Sequence, residues 1–192
     1  GSVISGDDHE RTARLIKHLQ KEIDIRMDLF ASVSAENLGQ YRRISGNTNE
    51  ARIYLLVDGL IAFRAEYENY ISDNNFLKFQ KVVADGRQLG VHVIATVERP
   101  SGLPGAALAG FNERIILRQT DSFDYSLLGV SQTIIETDAP SGRAIAGGLE
   151  TQFAVFGGRA DLLHQASAIQ KLAESLKNLG YPKTEPVRKL PD

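Results

Sequence analysis

The stretch "RIYLLVDGL", residues 52–60, ends a run of apolar residues in an acid and a glycine. A buried strand from Ile53 to Val57 would deliver the Asp58 carboxylate to a sheet's carboxyl end, where open α/β sheets bind ligands. One carboxylate there can hold magnesium when substrate phosphates supply other ligands. The plainer alternative is that Asp-Gly is a common strand-ending turn, and spacing alone leaves both readings open. No G-x-x-x-x-G-K-[ST] occurs, nor any Gly-Lys pair, so the chain shows no lysine-bearing loop to cradle a triphosphate. No G-x-G-x-x-G follows a strand, and no G-x-S-x-G offers a nucleophile. His9, His18, His92 and His164 do not pair at metal-ligand spacing. His9 and His18 read as helix surface, and His92, inside a strand, as a core histidine.

The elements that must position Asp58 follow from periodicity. Leu15, Leu19, Ile23, Met27 and Phe30 recur at helical spacing behind the possible caps Ser5, Asp7 and Asp8. Ser34 could cap a short second helix reaching Tyr41 and Arg42, and residues 45–50 read as a turn-rich loop. Residues 53–57 and 91–97 ("VHVIATV") are continuously apolar, as in parallel strands covered on both faces. Between them, residues 60–72 read as loop with some helix, and Phe76, Phe79, Val83 and Leu89 mark a helix stopped by Gly90. Strand, helix, strand is a βαβ unit with a parallel crossover.

Residues 99–105 read as a loop and 114–119 ("RIILRQ") as a third strand. Asp121 is placed to cap a short helix, and residues 142–156 read as a hairpin turning at Gly147 and Gly148. A last helix spans about 160–178. Residues 181–192, with three prolines, read as a linker after a module over 3–180. Gly1 and Ser2 look like a cloning scar, so the natural protein is expected to continue upstream.

Composition narrows the function classes. The chain has 192 residues, 42% hydrophobic and 24% charged, ordinary for a globular protein of one core. A net charge of −2 provides no field for nucleic acid or an acidic membrane. The absence of cysteine rules out disulfides and thiolate metal sites. The apolar runs fall far short of the ~20 residues of a membrane helix.

"YLLVDG" (54–59), "QLGVHVIATVERPS" (88–101) and "RIILRQTDSFDYSLLG" (114–129) stand in the order and spacing of FtsK/SpoIIIE-type ATPases, which the chain resembles over nearly its whole length. Residues 10–43 resemble the helix and arginine–tyrosine stretch between phosphate loop and Walker B strand. "VDG" and "GVHV" look most like the EccC/EssC motors of type VII secretion, which carry several such modules in tandem. "APSGRA" (139–144) is similar to their Pro-Gly-Arg-Gly element, and "PVRKLP" (186–191) to a link into the next module.

The resemblance implies a three-layer, RecA-like P-loop NTPase sheet with flanking helices, incomplete on its N-terminal side, plus a C-terminal β-hairpin and helix. It makes Asp58 a vestigial Walker B aspartate, which would meet metal only if a nucleotide–magnesium complex were supplied. Active relatives carry a glutamate next, where this chain has Gly59; losing such a base typically costs about 10²–10⁴ in rate. Alignment through His92 puts Glu98, followed by Arg99, at the sensor position, where a carboxylate would repel a γ-phosphate. Arg99, Arg118 and Arg143 are the candidate arginines for acting on nucleotide across a module boundary.

The resemblance also places the missing phosphate-loop strand between the strands at 91–97 and 114–119. Those two strands are therefore expected to pair directly or to borrow a strand from another chain. The whole is expected to be a degenerate ATPase module on the cytoplasmic side of the bacterial membrane. No cofactor is expected in this segment, although full-length members use Mg-ATP. Implied partners are neighbouring ATPase modules and WXG-type secreted effectors, with homo-oligomers possible and no nucleic-acid or membrane contact. The alternatives are a fragment of an active ATPase or DNA translocase, and an interaction domain unrelated to nucleotides.

Overall fold

The computed structural model describes residues 1–68, 74–131, 133–136, 138–181 and 185–188. The chain divides into two compact units, one formed by Ser2–Phe111 with the chain end from Pro186, the other by Asn112–Glu185.

The larger unit is an α/β layer structure. Helix α1 (His9–Ala31) starts where the Asp8 side chain accepts from the Arg11 amide. Its buried stripe is Ile16, Leu19, Ile23, Arg26 and Phe30, while Met27, expected on the stripe, is exposed. Arg26 can lie there because its donors are used. Nε reaches Glu22 at 2.8 Å, and the two terminal nitrogens reach the carbonyls of Leu89 and Ala51, each at 2.8 Å. Helix α2 (Leu38–Ser45) is capped by Asn37 rather than Ser34, which has a positive φ of 55°.

Strands β1 (Ile53–Val57) and β2 (Val91–Ala95) pair in parallel, Ile53 opposite Val91 through Val57 opposite Ala95. Helices α3 (Leu60–Tyr67) and α4 (Asn75–Gly86) connect them, completing the βαβ unit. The expected loop-and-helix over 60–72 is helical to Tyr67, and residues 69–73 lie outside the described residues. Helix α5 (Gly105–Ala109) follows the stretch expected as a loop over 99–105.

Ile53, Leu55 and Val93 pack with the cluster of Leu19, Ile23, Phe30 and Val82; Val57 and Ala95 pack with Leu60, Phe76 and Phe79. Tyr54, Leu56 and Ile94 are exposed. Apolar on both sides, the strands suggested cover on both faces, but the described residues cover one. For the same reason His92 is not a core histidine: half-buried, it stacks on Tyr54 with ring centroids 5.2 Å apart.

The smaller unit carries strand β3 (Ile115–Leu117), helix α6 (Ser122–Leu127), the hairpin β4 (Arg143–Ala146) and β5 (Leu149–Gln152), and helix α7 (Leu162–Asn178). Asp121 caps α6 and the hairpin turns at Gly147 and Gly148, as expected. Strand β3 does not pair with β2. It joins β4 antiparallel, Ile116 opposite Ile145, in a three-stranded sheet. The antiparallel pairing buries both isoleucines against Tyr125 and Ile135, and the expected direct pairing of β2 and β3 is absent among the described residues. The linker expected over 181–192 lies largely outside the described residues. Within it, the Val187 amide donates to Ser2 Oγ at 2.8 Å and Arg14 donates to the Arg188 carbonyl at 2.6 Å.

Candidate functional site

Parallel register determines the site. Val57 is opposite Ala95, so Asp58 and Thr96 leave the two strands side by side. Thr96 Oγ1 donates to Asp58 Oδ1 at 2.6 Å and accepts from the Gly59 amide at 2.8 Å. The Thr96 amide donates to the Val57 carbonyl at 3.0 Å, and the Leu60 amide donates to the Thr96 carbonyl at 2.9 Å. Thr96 thus clasps the whole turn from strand β1 into helix α3. Gly59 makes that turn possible, with φ of 78° and ψ of 66° at the helix start.

Asp58 is exposed, and its Oδ2 makes no hydrogen bond with the described residues. That free oxygen fits one magnesium position, provided phosphates come with the metal. Among the described residues no group of three or more histidines or acids could hold an ion unaided. The segment after Thr96 carries the other candidates of this unit. Glu98 is exposed and bonded to neither Asp58 nor Thr96. Arg99 is exposed and extended at φ −140°, its carbonyl accepting from the Gly102 amide at 3.0 Å.

Arg118 and Arg143 belong to the smaller unit. Arg118 is exposed just after β3. Arg143 opens β4 and pairs across the hairpin with Glu150, Nη1 to Oε1 at 2.9 Å. The residue that sequence reasoning missed is Thr96. The apolar run 91–97 hid it, because β2 ends at Ala95 and only the register of β1 against β2 sets residue 96 beside residue 58.

A second feature of the larger unit is an apolar groove of about 290 Å³ between α4 and α5. Phe76, Val83, Ala107 and Phe111 line it, with Gln80 and Lys81 as polar lining.

No protein-family model matches the chain, and no curated protein does. Solved structures do match. EssC (ATPases 2 and 3) from Geobacillus thermodenitrificans is similar at TM-score 0.77 and 19% identity over 96% of this chain and 35% of that one. Thermomonospora curvata EccC (ATPases 2 and 3), solved in complex with a signal sequence peptide, is similar at TM-score 0.76 and 20% identity over 100% of this chain and 35% of that one. The cytoplasmic domain of EssC is similar at TM-score 0.72 and 19% identity over 96% and 36%. The chain spans about a third of the length of these relatives. At such identities the likeness is one of fold: this chain folds like a module of EssC and EccC.

Proposed function

We propose that this chain is a degenerate ATPase module of a type VII secretion motor, one that regulates a hydrolysing neighbour and docks small secreted effectors. The observation that carries this reading is Gly59. It occupies the position after the strand-end acid, has no side chain to orient water, and serves instead as the left-handed start of α3. The acid before it is tied to Thr96, and the sequence supplies no Gly-Lys loop for phosphates. Mg-ATP, where a complete motor holds it, would contribute the metal's electrostatic stabilisation of the transferring phosphoryl group. This chain's part would be the single Asp58 oxygen left open.

Of the three arginines, Arg99 best fits a role on a neighbouring module's nucleotide. Arg143 is engaged by Glu150, whereas Arg99 makes no ion pair among the described residues. For the effector, the groove between α4 and α5 is the candidate berth: apolar walls suit one face of an amphipathic tail, and Lys81 suits an acid on it. The signal sequence peptide solved with EccC supports a peptide as occupant. No helix among the described residues is long and apolar enough to cross a membrane, and likeness to the cytoplasmic domain of EssC supports the cytoplasmic side.

Calorimetric titration of the chain with Mg-ATP tests the degenerate reading. The expected result is no saturable heat. Tight binding would show that the chain carries its own phosphate site and would favour the reading as part of an active ATPase.

A further inference from the structure

We infer that α7 is a self-association helix, whose apolar seam pairs in parallel with α7 of a second copy of this chain. The inference does not depend on the nucleotide reading of Asp58. Helix α7 spans 17 residues and buries none of them. The core of its own unit is built without it, from Ile116, Tyr125, Ile135 and Ile145. Yet Leu162, Ile169 and Leu176 recur every seven residues, and Leu172 and Leu179 follow the last two at a spacing of three. All five are exposed, Leu162 to 82% and Leu179 to 62%.

That spacing says what covers them. A helix packed on a globular core carries a broad apolar stripe, whereas a seam confined to two heptad positions takes another helix of the same pattern. Ala166 and Ala173 flank the seam, while Lys171, Glu174 and Lys177 fall at outward heptad positions, so a like helix approaches without meeting a like charge. The neighbouring face is held by its own chain. His164 Nε2 donates to the Gly157 carbonyl at 2.9 Å, and a Cβ on Gly157 would lie 2.8 Å from Ala168 Cβ.

Gln165 decides the direction. It takes the seam position between Leu162 and Ile169, and its side-chain amide has no hydrogen bond among the described residues. In parallel register it meets the same amide, which both donates and accepts. An antiparallel seam that sets Ile169 against Leu172 would bury it unpaired against Leu176. At 1.5 Å per residue α7 is about 26 Å long, and two such seams remove roughly 800–1,000 Å² from water. An interface that small fits a dissociation constant on the order of 10–100 μM.

Sedimentation equilibrium of the full chain is expected to show monomer and dimer in exchange. Ile169→Asp puts a charge into the seam and should weaken the dimer about thirtyfold or more. Leu163→Asp, 86% exposed but off the seam, should change it less than about twofold. Should the aspartate unravel α7, Ile169→Ala favours the helix and should still weaken the dimer about fivefold or more. The chain has no cysteine, so an introduced thiol reports direction cleanly: Leu162→Cys should form a disulfide with its own copy.

A chain that stays monomeric, or a dimer that survives Ile169→Asp, overturns the assignment of α7. A dimer lost equally with Leu163→Asp overturns it too, since the association would then be unspecific. Loss with Leu56→Thr and Ile94→Thr would place the contact on the open sheet face instead. Disulfides formed only between Leu162→Cys and Leu179→Cys chains overturn the parallel direction.

Discussion

Single residues decide how tightly the larger unit is drawn together, and Gly90 shows it best. It stops the chain just before β2 with φ of 82°, and its carbonyl accepts from the Ile53 amide at 2.9 Å. A Cβ there would lie 2.6 Å from Leu38 Cδ2 and 3.1 Å from the buried Arg26 guanidinium. Gly90→Ala should therefore lose about 2–5 kcal/mol, combining about 1–2 for a left-handed alanine with about 1–3 for the overlap. Urea unfolding midpoints measure it, and a loss under about 0.5 kcal/mol, the range of ordinary surface substitutions, would show that Leu38 and Arg26 yield freely. The sequence placed the end of the helix at Gly90, but α4 ends at Gly86 and Gly90 closes the turn into β2. That it sits against Arg26 was not legible, because the contact joins residues far apart in sequence through helix packing.

At the scale of elements, the β1–β2 pair is a parallel sheet covered on one side. Parallel sheets are ordinarily covered on both. Leu56 is 71% exposed and Ile94 54% exposed, and they are direct cross-strand partners. If nothing in this chain covers that face, the double substitution Leu56→Thr with Ile94→Thr leaves a β-branched residue at both positions and should change stability by less than about 1 kcal/mol. It should also reduce binding of a hydrophobic dye. A loss of several kcal/mol would show that the face is buried in solution. The βαβ order and the hairpin at Gly147–Gly148 were readable from apolar runs and turn residues, since both are local signals. The partner of β3 was not, because three apolar residues satisfy an antiparallel neighbour as well as a parallel one.

For the whole molecule, charge and surface chemistry set which partners it can take. Acids outnumber bases by two, so no long-range attraction to phosphate backbones is available. The apolar groove with Lys81, by contrast, suits an amphipathic peptide. One anisotropy experiment distinguishes these: a labelled effector tail should bind saturably, while labelled duplex DNA at physiological salt should not. Val83→Asp puts an acid into the groove wall and should abolish the peptide signal. Saturable DNA binding, or peptide binding indifferent to Val83→Asp, would overturn the assignment of the groove.

By itself the sequence determined the α/β class, the position of Asp58 at a strand end, the turn that Gly59 makes after it, and the absence of a lysine phosphate loop. These follow from composition, local spacing and the order of short apolar runs. Only the tertiary structure decided what Asp58 touches. The register of β1 against β2 sets residue 96 beside residue 58 across 38 positions of sequence, and a hydroxyl there gives the acid a fixed partner. No local pattern encodes that pairing, because register is settled by which side chains the helices bury, and that is a property of the packed unit.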